Sequence, residues 1–128
     1  MNSFLGLGND IIEISRIEKA IKNLKFIHKI YTEKEIKFIV SKGNKAETYA
    51  GRFAAKESVS KALGTGMRKI NFLDIEIINN ELGKPSVRFK NNIEDYNEKY
   101  LVDISISHCR EYATSTAIIF KKEKEVID

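Results

Sequence analysis

The chain is 128 residues long, 42% hydrophobic and 31% charged, with 22 Lys/Arg against 18 Asp/Glu and a formal net charge of +4. That length suits one domain, residues 1–128, with a core needing no staple, and the single cysteine, Cys109, excludes a disulfide framework or a cysteine-rich zinc site. No apolar run approaches the roughly 20 residues of a membrane helix, and the start lacks a basic-then-apolar leader, so a soluble, cytoplasmic protein with no membrane partner is expected.

Residues 4–12 (FLGLGNDII) read as a first strand. Ser15 with Glu18 has capping-box spacing and opens an amphipathic stretch from Arg16 to Leu24, with Ile17, Ala20, Ile21 and Leu24 on one face. His28 falls in an irregular basic stretch and is read as surface. Thr32 with Glu35 repeats the capping box, and Gly43 ends the helix that follows. Ala46 to Leu63 is the longest helical pattern, closed by Gly64. Residues 70–78 and 86–90 are strand-like around the turn NNELGKP, and a short polar helix spans Ile93 to Tyr100. VDISISH and ATSTAIIF form an antiparallel hairpin around CREY, and the charged tail KKEKEVID frays. Strands and helices do not alternate regularly. The expected class is therefore α+β, a small antiparallel sheet packed with a long helix and shorter helices.

Charge is unevenly spread. From Arg16 to Lys69 there are 14 Lys/Arg against 5 Glu, whereas the rest of the chain carries 8 basic and 13 acidic residues. Such asymmetry suits an anionic partner at one face, or a solvated lysine-rich surface. Gly6-Leu7-Gly8 lacks the third glycine of a dinucleotide loop, so these glycines are read as close packing. Asp10 interrupts an apolar strand, and an acid there is end-exposed, paired or bound to metal. Glu57 and Lys61 stand four residues apart on one helical face, with Phe53 a turn earlier. They are either a surface ion pair or a hard-metal ligand beside a phosphate-binding lysine. Mg²⁺ favours one or two carboxylates plus phosphate oxygens, which Asp10 and Glu57 would satisfy. His108 ends a strand whose apolar phase is Val102, Ile104, Ile106. Cys109, pointing the other way, is read as a spectator.

Together the segments GLGNDIIEISRI (6–17), YAGRFAAKESVSKALGTG (49–66), DIEIINNELGKPSV (74–87) and ISISHCREYA (104–113) resemble one family, the holo-[acyl-carrier-protein] synthases. These are the short type of 4′-phosphopantetheinyl transferase. The main departure is Asn9, where the family usually has an aliphatic residue before the aspartate. The resemblance implies a 4′-phosphopantetheinyl transferase-like fold. It also implies Mg²⁺-dependent transfer of phosphopantetheine from coenzyme A to a serine of apo-acyl carrier protein, releasing adenosine 3′,5′-bisphosphate. By that pattern Asp10 and Glu57 are the Mg²⁺ ligands and Lys61 a pyrophosphate contact. Arg52, Gly64, Ser107 and His108 line the coenzyme A cleft, and Arg16 docks the acidic carrier. Glu57 and a metal-bound water are the two candidate bases. A homotrimer with sites between neighbouring subunits is implied as well. The runner-up, an RNA-binding module, lacks interleaved exposed aromatics on its strands, so no nucleic acid partner is expected.

Overall fold

The structure, a computed structural model, describes residues 2–64 and 70–123. Its elements run β1 (Ser3–Glu13), α1 (Ile14–Ala20), α2 (Leu24–Ile30), α3 (Glu33–Ser41), α4 (Ala46–Ala62), β2 (Ile75–Asn79), β3 (Pro85–Phe89), α5 (Tyr96–Lys99), β4 (Tyr100–His108) and β5 (Tyr112–Lys121). Single 3₁₀ turns occupy Phe72–Asp74 and Asn91–Ile93. The α+β class is as expected. β5 lies between β1 and β4 in an antiparallel sheet, and β2 and β3 pair as a separate antiparallel hairpin.

The period-two pattern of β5 explains how this sheet is covered. Ala113, Ser115, Ala117 and Ile119 are buried, while Tyr112 and Thr116 in the alternate row are exposed and Thr114 and Ile118 half-buried. α4 packs on the buried side, against β1, β4 and β5. It comes very close to β1. A Cβ on Gly6 would stand 1.9 Å from the Ala62 carbonyl oxygen, and one on Gly8 1.9 Å from that of Ser58. The glycine pair serves close packing of strand on helix, as its sequence context suggests. One core cluster gathers Val59, Ile75, Ile77, Phe89, Ile104 and Ile119 between α4, the sheet and the hairpin. A second gathers Ile17, Ile27, Ile30, Tyr31, Ile39 and Tyr49 between α4 and the first three helices.

Several local expectations change. The Ser15–Glu18 box does not form: α1 starts straight from β1 at Ile14, whose N–H donates to the Glu111 carbonyl at 2.8 Å. The apolar run from Arg16 to Leu24 is split, because the chain turns at residues 21–23 and Asn23 starts α2, its Oδ1 accepting from the Lys25 N–H at 2.9 Å. His28 therefore lies in a helix, exposed. The box at Thr32 and Glu35 does form. The strand expected from residue 70 begins only at Ile75, because Asp74 Oδ2 accepts from the Asn71 N–H at 2.9 Å and closes a 3₁₀ turn first. The polar helix over 93–100 shrinks to α5 after the turn at Asn91–Ile93. Gly66 and the chain beyond Glu123 lie outside the described residues.

Candidate active site

Asp10 belongs to the row of β1 that faces α4, together with Gly6 and Gly8. Because those glycines let helix and strand backbones touch, a lysine on α4 can reach the strand directly. Lys61 Nζ donates to Asp10 Oδ1 at 3.0 Å and to the Asn9 carbonyl at 3.0 Å. The lysine thus ties α4 to β1 rather than only decorating the helix surface. β1 is itself pinned at this point. The Thr114 hydroxyl donates to the Asp10 carbonyl at 2.8 Å, and Asn9 Nδ2 donates to Thr116 Oγ1 at 2.8 Å on the opposite face.

Glu57, one turn before Lys61, joins the same seam. Its carboxyl is held above the ordinary range, first by burial and then by the negative charge of Asp10, with Lys61 acting in the other direction. Glu57 therefore lies within electrostatic reach of both Asp10 and Lys61 at the junction of α4 and β1. Asp10 and Glu57 are the groups able to hold a hard cation here, and the repulsion Asp10 exerts on Glu57 is what such an ion relieves. Among the described residues no three His, Cys, Asp or Glu side chains cluster as a metal cage would require. A cation at this pair would fill its remaining positions with water and substrate oxygens, a habit of Mg²⁺.

The other residues singled out in the sequence stand apart from this trio. Ser107 and His108 close β4 and are exposed; by alternation His108 continues the α4-facing row of Val102, Ile104 and Ile106, and Ser107 faces the open side. Gly64, at φ +81°, caps α4 with its N–H on the Lys61 carbonyl at 3.0 Å, and among the described residues nothing beyond its chain neighbours comes within 4 Å of where a Cβ would stand. Arg16 is exposed on α1. Arg52 is buried and lies roughly 140° around α4 from Glu57 at about 100° per residue. Its guanidinium sits 4.2 Å over the Phe38 ring and donates through Nη2 to Asn79 Oδ1, while Nε has no partner among the described residues. Cys109 is free and exposed. A concavity of about 480 Å³ beside Lys84, Pro85, Asp103 and Phe120 shares no lining residue with the trio. Sequence reasoning placed Glu35 only in a capping box and passed over Lys56 and Glu76; the three form a buried polar cluster on another side of α4. Lys56 and Glu35 stand 21 residues apart, so no local spacing announces their pairing.

The 4′-phosphopantetheinyl transferase superfamily model matches residues 6–117. A holo-[acyl-carrier-protein] synthase of Fusobacterium nucleatum is 53% identical over 119 residues, covering 90% of this chain and 98% of that protein. Among solved structures, the Bacillus anthracis holo-(acyl-carrier-protein) synthase in complex with CoA (3′,5′-ADP) superposes with a TM-score of 0.78 at 41% identity, covering 93% of this chain and 98% of that one. The Helicobacter pylori holo-[acyl-carrier-protein] synthase in complex with coenzyme A gives a TM-score of 0.80 at 34% identity, over 88% of this chain and 98% of that one.

Proposed function

This chain belongs to the 4′-phosphopantetheinyl transferase superfamily as a holo-[acyl-carrier-protein] synthase, and from that premise we propose the reaction it performs. It transfers the 4′-phosphopantetheine arm of coenzyme A to a serine hydroxyl of apo-acyl carrier protein, in a Mg²⁺-dependent step that releases adenosine 3′,5′-bisphosphate. The observation that carries this reading is the meeting of Asp10, Glu57 and Lys61 where α4 touches β1.

Phosphoryl transfer asks a protein mainly to position its reactants and to neutralise oxygens that gain charge. Mg²⁺, held by Asp10 and Glu57, would supply that neutralisation at the pyrophosphate. Lys61 already bonds one of these carboxylates. With coenzyme A bound, its ammonium has the reach to exchange Asp10 for a phosphate oxygen, since it is the exposed member of the pair. Glu57 is the base candidate on this chain, because burial and Asp10 both push its carboxyl toward the range where a base accepts a proton. Arg52, Gly64, Ser107 and His108 complete the coenzyme A cleft, and Arg16 receives the acidic carrier.

The protein works as a homotrimer with active sites between subunits. Two observations support this. The face of the sheet away from α4 is open, with Leu7 62% and Ile11 63% exposed, and such a face is unusual on a monomer. Ser107 and His108 point to opposite sides of that sheet, so one ligand meets both more readily where a second copy covers the open face. No helix among the described residues is long and apolar enough to cross a membrane, and the proposed substrates put the reaction in the cytoplasm.

The test is the intact mass of an apo-acyl carrier protein after incubation with this protein, coenzyme A and Mg²⁺. A gain of one phosphopantetheine, lost with EDTA or without the protein, is the expected result. No gain across several carriers, with the protein folded, would overturn the reading. Salt-sensitive RNA binding in its place would point to the basic face instead.

A further inference from the structure

Lys56 adjoins Glu57 in α4, and its side chain is fully buried. Its ammonium donates to three acceptors on three separate segments. These are the Ile30 carbonyl at the end of α2 (2.6 Å), Glu35 Oε1 on α3 (2.7 Å) and the Phe72 carbonyl in the 3₁₀ turn (2.9 Å). All three of its protons are thereby used. Glu35, equally buried, also accepts from the Thr32 N–H at 2.8 Å and from the Ile77 N–H of β2 at 2.9 Å. One ammonium and one carboxylate thus lock α2, α3, β2 and the 3₁₀ turn to the middle of α4.

A buried ion pair is weak as a source of stability, because desolvating the two charges offsets most of their attraction. A need for fixed geometry accounts for it better. Where α4 meets the sheet its buried residues are mostly small, Ala55, Ser58 and Ala62 beside the larger Val59. On this side small side chains allow close approach but leave shallow ridges, which resist rotation of the helix about its axis less than larger ones would. The contacts at Gly6 and Gly8 fix how near α4 comes to β1, not how it is turned. Directional hydrogen bonds can fix the turn. At a carboxylate about 5–6 Å from the axis, a rotation of about 20° is a displacement of about 2 Å, enough to separate Glu57 from Asp10.

We infer that Lys56 is a positioning residue: its buried ammonium, bonded to Ile30, Glu35 and Phe72, sets the rotation of α4 that keeps Glu57 beside Asp10. This rests on the transferase reading for the role of Glu57 and goes beyond it in assigning a group that touches no reactant.

The experiment uses the full chain with Lys56→Met and Glu35→Gln combined, so that neither charge is left buried alone. Melting temperature, kcat, the KM for carrier and the binding of Mn²⁺ in the presence of coenzyme A, read by paramagnetic resonance, are compared with the unmodified protein. The expected result is a folded protein whose melting temperature stays close to the original and whose carrier KM is retained. Its kcat falls about 10- to 100-fold, and Mn²⁺ binding weakens in step. A folded variant with unchanged kcat and Mn²⁺ binding would reduce Lys56 to a structural part and overturn the inference. Should that variant fail to fold, Lys56→Gln, which keeps two of the donors, is read the same way. Absence of transfer by the unmodified protein would instead strike the functional reading, and the Mn²⁺ comparison would still decide the role of Lys56.

Discussion

Lys61 and Asp10 are an unequal pair: the ammonium side chain is 49% exposed and the carboxylate it bonds only 15%. A half-exposed lysine adds little to stability, commonly under about 1 kcal/mol. The value of the contact lies in keeping a cation poised over a sheltered carboxylate. Lys61→Ala is therefore expected to fold and melt almost as the original does. Its kcat should fall about 100-fold or more, the typical cost of removing one group that stabilises developing charge. A variant with near-original kcat would remove Lys61 from the phosphate contacts.

Glu57 predicts a trade between stability and activity. Its carboxyl titrates above the ordinary range because of burial and Asp10. The native state thus holds this proton more readily than the unfolded chain does. The resulting stability is whole below the ordinary carboxylate range and is lost as pH rises through the raised native value. Glu57→Gln escapes that loss. At neutral pH it should melt at a higher temperature than the original, with the difference closing in acid, while Mg²⁺-dependent transfer disappears. Melting curves between pH 3.5 and 7.5 measure this, and a variant that melts lower at pH 7 would contradict it.

Gly8→Ala tests the seam itself. The added Cβ would meet the Ser58 carbonyl oxygen at 1.9 Å and the Ala62 amide nitrogen at 2.7 Å, both backbone atoms that cannot swing aside. A loss of about 3 kcal/mol or more is expected from such overpacking. Urea denaturation would show it as a lower midpoint. Transfer should fall even in the fraction that remains folded, since α4 is pushed away from Asp10.

Arg16→Ala should raise the KM for the carrier several-fold and leave coenzyme A binding unchanged, because Arg16 is exposed on α1 and separate from the Asp10 trio. The difference between variant and original should shrink at high salt, as expected of a steering charge. Equal losses for both substrates would count against a docking role.

Cys109 offers a probe at the tip of the β4–β5 hairpin. The backbone N–H groups of Glu111 and Tyr112 hold its exposed thiol below the ordinary cysteine range. Its alkylation by iodoacetamide should reach half-maximal rate at a lower pH than that of a free cysteine. Mass spectrometry across a pH series measures this, with Cys109→Ser as the control.

What could be read beforehand follows from how local each signal is. α4 was legible because its pattern and its closing Gly64 lie within one run of sequence, and the capping box at Thr32 for the same reason. The box at Ser15 failed because a distant group, the Glu111 carbonyl, takes the first N–H of α1. Leu24 misled because it keeps helical phase with α1 and yet begins another helix, where it is 69% exposed. In the site, the shared face of Glu57 and Lys61 is a matter of spacing, and Asp10 stood out as an acid in an apolar strand. That Lys61 bonds Asp10 depends on how closely α4 lies against β1, which two glycines permit but do not announce. The union of Lys56 with Glu35 is more remote still, since it needs helices that spacing does not orient.

The strand order has a consequence for the birth of the molecule. Among the described residues β1 pairs only with β5, and its first residue, Ser3, meets Lys121. During synthesis Asp10, Glu57 and Lys61 all emerge long before the strand that mounts them. A chain growing on the ribosome therefore holds every group of the proposed chemistry and none of its arrangement. That arrangement waits for β5 to pair with β1 and, with the proposed sites lying between subunits, for a second copy to join.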